Sequence, residues 1–501
     1  MEPQMNSSSD TIVAIATAPG TGGIAVIRLS GPDAIGIFSK VWRGADPSAM
    51  KSHTAHLGRI MSPDGSILDE VVATLFRGPN SFTGEDVVEI SCHGSRWIQR
   101  EIVKLLIANG ARGANPGEFS QRAFINGRID LAQAEGIADL VAASSRAAHR
   151  LAIQQANGTF SSRLDSLRDK LIDLASLLEL ELDFSEEDVE FADRRQLREI
   201  TDSAIAATGR LADSYAAGRA FKEGIPVVIA GEPNVGKSTL LNRLLEEEKA
   251  IVTDVPGTTR DIIEGTCEID GTLFRFVDTA GLRVTDDTVE RLGIERATER
   301  LHNAAVVLWT VDATQPIEPQ LNLLRSHTEQ LGEIPVLLLL NKSDLAIGDI
   351  ELSESKLDFS GNQPPFSSAP SNNSNSSNNS NNTNLSNNSD YSNPSNFAQT
   401  INLSASTGEG IDLLKQWLKD YAARLRGNEN DIIVTNARHH AAIVSGKESL
   451  ERVRTALDAG TSADFIAQDV REAIHDLSAI TGQISTPTLL STIFSRFCIG
   501  K

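Results

Sequence analysis

Residues 231–238 read Gly-Glu-Pro-Asn-Val-Gly-Lys-Ser, directly after the apolar run Ile225-Pro-Val-Val-Ile-Ala230 and directly before Thr239–Leu245. No other stretch constrains the fold as much. A G-x-x-x-x-G-K-S loop works only between a buried strand and a helix. Its glycines let the backbone curl so that several N–H groups face one anion, Lys237 reaches the β/γ-phosphate oxygens, and the Ser238 hydroxyl suits magnesium. Further strands are expected at Leu273–Val277, Ala305–Val311, Pro335–Leu340 and Thr400–Leu403, alternating with helices. That order implies an α/β unit, a parallel sheet with helices on both faces.

Companion motifs fall at the ends of those strands. Asp278-Thr279-Ala280-Gly281 places a carboxylate where the magnesium shell forms and a glycine where the γ-phosphate is sensed. Asn341-Lys342-Ser343-Asp344 offers the Asp344 carboxylate to the N1 and N2 donors of guanine, a pair that adenine lacks. Ser404-Ala405 closes the base-binding rim. Each is ordinary loop composition by itself, but four in order, each after a strand, point to GTP. The order resembles the translation-factor-related class of small GTPases. Leu282 stands where a Ras-type enzyme has its water-orienting glutamine, and a leucine cannot orient water.

In the relatives this looks like, an asparagine matching Asn234 marks potassium-activated GTPases. The resemblance places potassium on Asn234, Thr253, Val255 and Thr258, and magnesium on Ser238 and the switch threonine Thr259. The nucleotide set it implies is Asn234, Val235, Gly236, Lys237, Ser238 and Thr239; the loop Thr253, Asp254, Val255, Pro256, Gly257, Thr258 and Thr259; and the three motifs above. A monovalent cation beside the phosphates supplies charge that an arginine finger supplies elsewhere.

Around this unit the character changes. Residues 1–126 read as α+β, with strands at Thr11–Ala16, Gly23–Leu29 and Asp86–Ser91, a turn at Ser62-Pro63-Asp64-Gly65 and a helix over Arg96–Ala108. Residues 127–222 are helical, with Leu164, Leu167, Leu171, Leu174, Leu177, Leu178 and Leu182 three and four apart, and an acidic break at Asp183–Asp193. Residues 223–425 form the inserted nucleotide unit, and 426–501 return to helix. Within the insertion, 21 of the 26 residues from Ser371 to Asn396 are Asn or Ser, so residues 361–396 are expected to be a disordered loop that buries no core.

The two ends narrow the family. The chain finishes Phe497-Cys-Ile-Gly-Lys501. Its N-terminal part carries Gly22–Gly31, Ser81-Phe-Thr-Gly-Glu-Asp86, His93-Gly94, Pro116–Phe124 and Asp130-Leu-Ala-Gln-Ala-Glu135. Together these resemble the tRNA modification GTPase family (MnmE/TrmE type), although Thr21 stands where the family's first block often has arginine. The resemblance implies addition of a carboxymethylaminomethyl or aminomethyl group to carbon 5 of the wobble uridine of certain tRNAs. It implies a homodimer paired through the N-terminal domains, a flavin-dependent partner subunit in a heterotetramer, and 5-formyltetrahydrofolate or a related folate. Carried onto this chain, the folate positions are Arg28, Glu89, Arg128 and Lys501. Cys498 is the candidate reactive thiol, its alternative being an inert cysteine. Glu290 matches the position that orients the attacking water, although spacing alone does not separate it from Glu295. A ribosome-assembly GTPase would bring a second GTPase unit or a KH domain, and neither is visible in the sequence. A purely interacting protein would not need Lys237, Ser238, Asp278 and Asp344 intact.

Composition adds limits. Three cysteines far apart (Cys92, Cys267, Cys498) form no metal-type pair and fit a reducing cytoplasm, with Cys92 and Cys267 expected in cores. No signal peptide is visible at the start, and the longest apolar stretch is too short for a membrane span. The formal net charge is −21. Residues 1–125 hold 11 positive and 12 negative side chains, and 426–501 hold 8 and 9, whereas 221–425 hold 16 and 29. The acidity therefore sits on the nucleotide unit. A tRNA is expected to avoid that face and to be reached through assembly with the flavoprotein.

Overall fold

The computed structural model describes residues 10–183, 194–247, 264–278, 304–327, 331, 334–346, 400–427 and 432–500. They group into two compact units. One comprises Met1–Ser144, Ala148–Gly218 and Ile432–Lys501, the other Ser145–Ala147 and Arg219–Asp431.

The first unit opens with seven strands: β1 (Ile12–Ile15), β2 (Ile24–Ser30), β3 (Trp42–Arg43), β4 (Thr54–Met61), β5 (Ile67–Phe76), β6 (Val87–His93) and β7 (Arg112–Gly113). They lie in the order β3-β4-β5-β6-β2-β1-β7, antiparallel except for β1 beside β7. The hairpin β4–β5 adds two long strands to the three expected here. Its turn had a clear signal, and Asp64 fixes it by accepting from the Ser66 N–H and hydroxyl. One sheet face packs on the helices Ala34–Val41 and Arg96–Ala108 through Ile27, Leu29, Phe38, Ile60, Leu75, Ile90, Ile102 and Leu106. Burying each such side chain stabilises by about 1.5–3 kcal/mol.

The same unit contains a helical core. Leu164, Leu167, Leu171, Leu174 and Leu178 of the helix Thr159–Asp183 are buried against Leu197, Ile443, Leu450, Val453, Val470 and Leu477. Asp130 starts the helix Leu131–Ala142 with a capping box to Gln133, and Asn436 caps Ala437–Asp458. Between those two helices sits a buried ion cluster. Glu135 accepts from Arg438 at 2.9 Å and from the His439 ring at 2.6 Å, while Arg438 also donates to the Ala479 and Ile480 carbonyls. Burial alone would raise the Glu135 carboxyl, but the bonds from His439 and Arg438 outweigh it and hold the group down at about 2. Burial also holds His439, stacked on Phe160, below the ordinary histidine value.

The second unit has β8 (Ile225–Ala230), β9 (Glu264–Ile269), β10 (Thr272–Asp278), β11 (Val306–Asp312), β12 (Val336–Asn341) and β13 (Thr400–Asn402), in the order β13-β12-β11-β8-β10-β9. Five strands are parallel, as the alternation predicts. The sixth, β9, which carries Cys267, is antiparallel to β10, a pairing that the alternation does not predict. The reason is the two-residue turn Asp270-Gly271, both at positive φ (48° and 79°), which suits a tight hairpin. β11 and β12 are buried along their whole length, as strands covered on both faces must be. Helices Lys237–Glu247, Ile317–Ser326 and Ile411–Arg426 belong to this unit. Among the described residues no helix is long and apolar enough to cross a membrane.

Candidate functional site

The phosphate loop leaves the end of β8 and runs into the helix Lys237–Glu247, as its sequence requires. Gly231 has φ +138°, and a Cβ there would collide with the backbone carbonyl of Thr310 on β11. Gly236 has φ +100°, and a Cβ there would run into the Asn341 amide. The loop thus passes the neighbouring strand and its anchor at distances only glycine permits. Asn234 also takes positive φ, 65°, a conformation asparagine tolerates better than most residues. Lys237 is only 6% exposed, and its ammonium donates to the Gly231 and Glu232 carbonyls at 2.9 and 2.7 Å. The loop therefore wraps a positive charge at a helix N-terminus, the donor set a phosphate chain needs. Ser238 follows on the first helical turn, half-buried, and Val235 is buried beneath the loop.

Asn341 joins the motifs. Its Nδ2 donates to the Val235 carbonyl at 2.7 Å, and its Oδ1 accepts from the Ala405 N–H at 2.9 Å. This side chain, 2% exposed at the end of β12, ties the phosphate loop to the base-binding rim. Lys342 takes positive φ (64°) and pairs with Asp312 at 2.6 Å. Burial would raise the Asp312 carboxyl, but Lys342 and Thr314 hold it below the usual carboxylate range. Ser343 donates its N–H to the Leu403 carbonyl, which leaves Asp344 exposed on the short 3-10 turn Ser343–Leu345. Ser404 is fully buried, and Arg243 donates to the Ala405 carbonyl, closing the rim from the helix side. The structure thus brings Asn234, Val235, Gly236, Lys237, Ser238, Thr239, Asn341, Lys342, Ser343, Asp344, Ser404 and Ala405 to the strand ends of one sheet. β10 ends at Asp278, the first residue of its motif. The positions Thr253–Thr259, Thr279, Ala280, Gly281, Glu290 and Lys501 lie outside the described residues, as does the Asn/Ser tract.

The other candidate set lies in the first unit. Arg28 on β2 and Glu89 on β6 are direct register partners, and Arg28 holds one Glu89 oxygen with both Nε (2.9 Å) and Nη2 (2.7 Å). The guanidinium lies over the rings of Phe82 and Phe119, 5.5 and 5.7 Å from their centroids. The guanidinium is thus half-buried among aromatics, and nothing in the sequence had singled out either ring. Arg128 runs against the same loop as Phe82. Its Cγ stands 3.3 Å from where a Cβ on Gly84 would be. A carboxylate beside a cation on an aromatic floor fits a flat, guanidine-edged ligand. The tail docks nearby in the chain's own terms: Gly117, just ahead of Phe119, donates its N–H to the Cys498 carbonyl at 3.4 Å, and the Gly500 backbone lies against the Ile15 carbonyl. Phe494 and Phe497 anchor it against Leu131 and Ala134, leaving Cys498 exposed.

Beside this pair is an ion network that spacing did not reveal. Arg122, 7% exposed at its side chain, pairs with Asp10 (2.7 Å), Glu85 (3.1 Å) and Glu118 (3.2 Å), while Arg112 pairs with Asp10 and Glu118. Burial would raise Glu118, but Arg112, the Asn115 N–H and Arg122 hold it below the usual range. Glu85 also accepts from Ser30, which contacts Thr83, so the Ser81–Asp86 segment beside Arg28 is fixed from beneath. Cys92 and Cys267 are both buried as expected, and burial, with Asp69 adding to it, pushes the Cys92 thiol up to about 11.

Known proteins align with the chain from end to end. A family model described as "GTP-binding protein TrmE N-terminus" matches residues 11–128, and one described as "MnmE helical domain" matches residues 131–498. The "tRNA modification GTPase MnmE" of Bacteroides fragilis is 45% identical over 99% of this chain and 100% of its own. The proteins of that name from Cytophaga hutchinsonii (44%, over 99% of each chain) and Porphyromonas gingivalis (46%, over 99% and 98%) are similar to the same degree. Among solved structures, the G domain of the T. maritima FeoB iron transporter aligns with 40% of this chain and 98% of its own at 24% identity, with a TM-score of 0.24. Full-length likeness at this level, over a chain whose phosphate loop and guanine motifs converge on one sheet edge, makes the protein a member of the MnmE/TrmE family of tRNA modification GTPases.

Proposed function

We propose that this protein is a potassium-activated GTPase that works with a flavin-dependent subunit to modify carbon 5 of the wobble uridine in certain tRNAs. The observation that supports it most is Asn341, which ties phosphate loop to base rim inside a chain that matches tRNA modification GTPases along its whole length. In this reading Lys237 neutralises the β/γ-phosphates, and Ser238, Thr259 and Asp278 would hold a magnesium ion that supplies further positive charge there. Asp344 accepts from guanine N1 and N2. Leu282 cannot orient water, so Glu290 does so through a second water. A potassium ion supplies positive charge at the phosphates, and Asn234, Thr253, Val255 and Thr258 would hold it.

The three-part division of the chain belongs to the same proposal. Residues 1–126 bind a folate such as 5-formyltetrahydrofolate and pair two copies, residues 127–222 with 426–501 form the helical domain, and 223–425 form the GTPase insertion. Glu89 takes the N–H edge of the pterin, Arg28 and Arg128 its negative groups, and Lys501 and Cys498 approach from the tail. The reaction places the protein in the cytoplasm with tRNA.

Rates of GTP hydrolysis in potassium and in sodium test the ion reading. The expected outcome is hydrolysis at least about tenfold faster in potassium, with the difference lost in Asn234→Ala. Equal rates in the two salts would remove potassium from the mechanism.

A further inference from the structure

The helix Arg96–Ala108 packs one side, Gln99, Ile102 and Leu106, on the N-terminal sheet. At 100° per residue its outward arc carries Arg96, Ile107, Arg100, Lys104 and Trp97 in angular order. The exposures agree: Arg96 is exposed, Trp97 is 55% exposed, and the side chains of Arg100 and Lys104 are 64% and 61% exposed. Glu101, on the margin of the arc, is the helix's one carboxylate and contacts both Arg100 and Lys104. Lys40 adds a cation at the C-terminal end by donating to the Asn109 carbonyl. The near-neutral charge of this segment thus conceals a separation. Asp10, Glu85 and Glu118 are held by Arg112 and Arg122, and Glu89 by Arg28, while the helix presents cations.

We propose that the Arg96–Trp97–Arg100–Lys104 stripe is an RNA-docking surface that takes the tRNA backbone, with one unstacked base on the Trp97 ring. Cations four residues apart stand about 6 Å apart along the helix axis, comparable to the separation of successive phosphates on one strand. An indole left in water forfeits its burial, and base stacking is what an exposed ring flanked by arginines provides. A solvated charge stripe has no use for it. The contrast within the chain is Phe465, 67% exposed beside Asp464, with the nearby Asp469 and Glu472 both paired to Arg452, so no row of cations follows the ring along its helix. The proposal rests on the tRNA reading above and adds where the RNA lies: on the near-neutral N-terminal part of the chain rather than on the acidic nucleotide unit.

Binding of fluorescently labelled tRNA to the full-length protein, titrated at several KCl concentrations, tests it. Replacing Arg96, Arg100 and Lys104 together with glutamine is expected to weaken binding at least about tenfold at low salt and to flatten the slope of log affinity against log salt by about 2 to 3. Trp97→Ala is expected to weaken binding about tenfold with the slope unchanged, and Trp97→Phe to restore most of the loss. GTP hydrolysis should stay at the wild-type rate in all three, which controls for folding. Wild-type protein that binds tRNA while the variants bind equally well would overturn the docking surface alone. Wild-type protein that binds no tRNA at any salt would overturn the docking surface, whereas the tRNA reading is tested separately by nucleoside analysis of cells lacking the protein. Variants that lose self-association but keep RNA affinity would also overturn it, assigning the stripe to a second copy of the chain.

Discussion

In the sheet β13-β12-β11-β8-β10-β9, strands β11 and β12 are buried throughout, and the residues of the nucleotide motifs stand at the strand ends and in the loops beyond them. In the sheet β3-β4-β5-β6-β2-β1-β7, Arg28 and Glu89 stand mid-strand as register partners on one face and pair with each other, so the proposed folate contacts are side chains rather than backbone. The first arrangement is specified by local backbone geometry. The second depends on pairing distant strands in one register. The two sites should therefore fail in different ways when altered.

The largest effect is expected where charge is buried deepest. Glu135→Ala leaves Arg438 and the buried His439 without their carboxylate, and breaking such a cluster costs about 3–5 kcal/mol. Thermal unfolding should show it in the unit that contains the N-terminal sheet, with nucleotide affinity preserved. The wild-type pH dependence follows from the same group. Its folded pKa, about 2, lies below the ordinary 4.5, so its contribution is complete above that ordinary value and is lost as pH falls toward 2. Protonating buried His439 also opposes folding, so both groups make acid destabilising. A stability that stayed flat between pH 6 and 3 would break this account.

Next comes the backbone of the phosphate loop. Gly231→Ala forces a Cβ into the Thr310 carbonyl at positive φ, a strain of roughly 3 kcal/mol or about a hundredfold in GTP affinity. Isothermal titration with GTP would measure it. Near-normal affinity would mean that the loop backbone is not what positions the phosphates. The smallest effect on stability belongs to Glu89→Gln, because a half-exposed pair is worth no more than about 1 kcal/mol. The same change should markedly weaken folate binding, which equilibrium dialysis can read. Unchanged folate affinity would detach the Arg28–Glu89 pair from the pocket.

This contrast also explains what could be read in advance. Gly231, Gly236, Lys237 and Ser238 announce themselves because phosphate binding demands those residue types at that spacing. The helix Arg96–Ala108 was legible from its periodicity, and the leucines from Leu164 to Leu178 from theirs. Asn341 was recognisable as a base-recognition residue, but its bridge from Val235 to Ala405 was not, since it spans residues far apart in the chain. Strand β4 has one buried residue, Ile60, and the apolar residues of β5 are interrupted by Asp69 and Glu70, so only their turn showed. Arg28 and Glu89 were marked only through the family resemblance, because nothing local says that β2 pairs with β6, or that Phe82 and Phe119 flank Arg28. The antiparallel β9 was hidden for a similar reason: its signal is the Asp270-Gly271 turn, overshadowed by the surrounding β/α alternation.

The central claim is that the GTPase chemistry of this chain serves tRNA modification. Nucleoside analysis of total tRNA from cells lacking the protein, with and without a restored copy, tests it most directly. Loss of the carbon-5 aminomethyl and carboxymethylaminomethyl wobble uridines, recovered with the wild-type copy and not with Lys237→Ala, is the predicted result. Normal levels of those nucleosides in the deleted strain would contradict it.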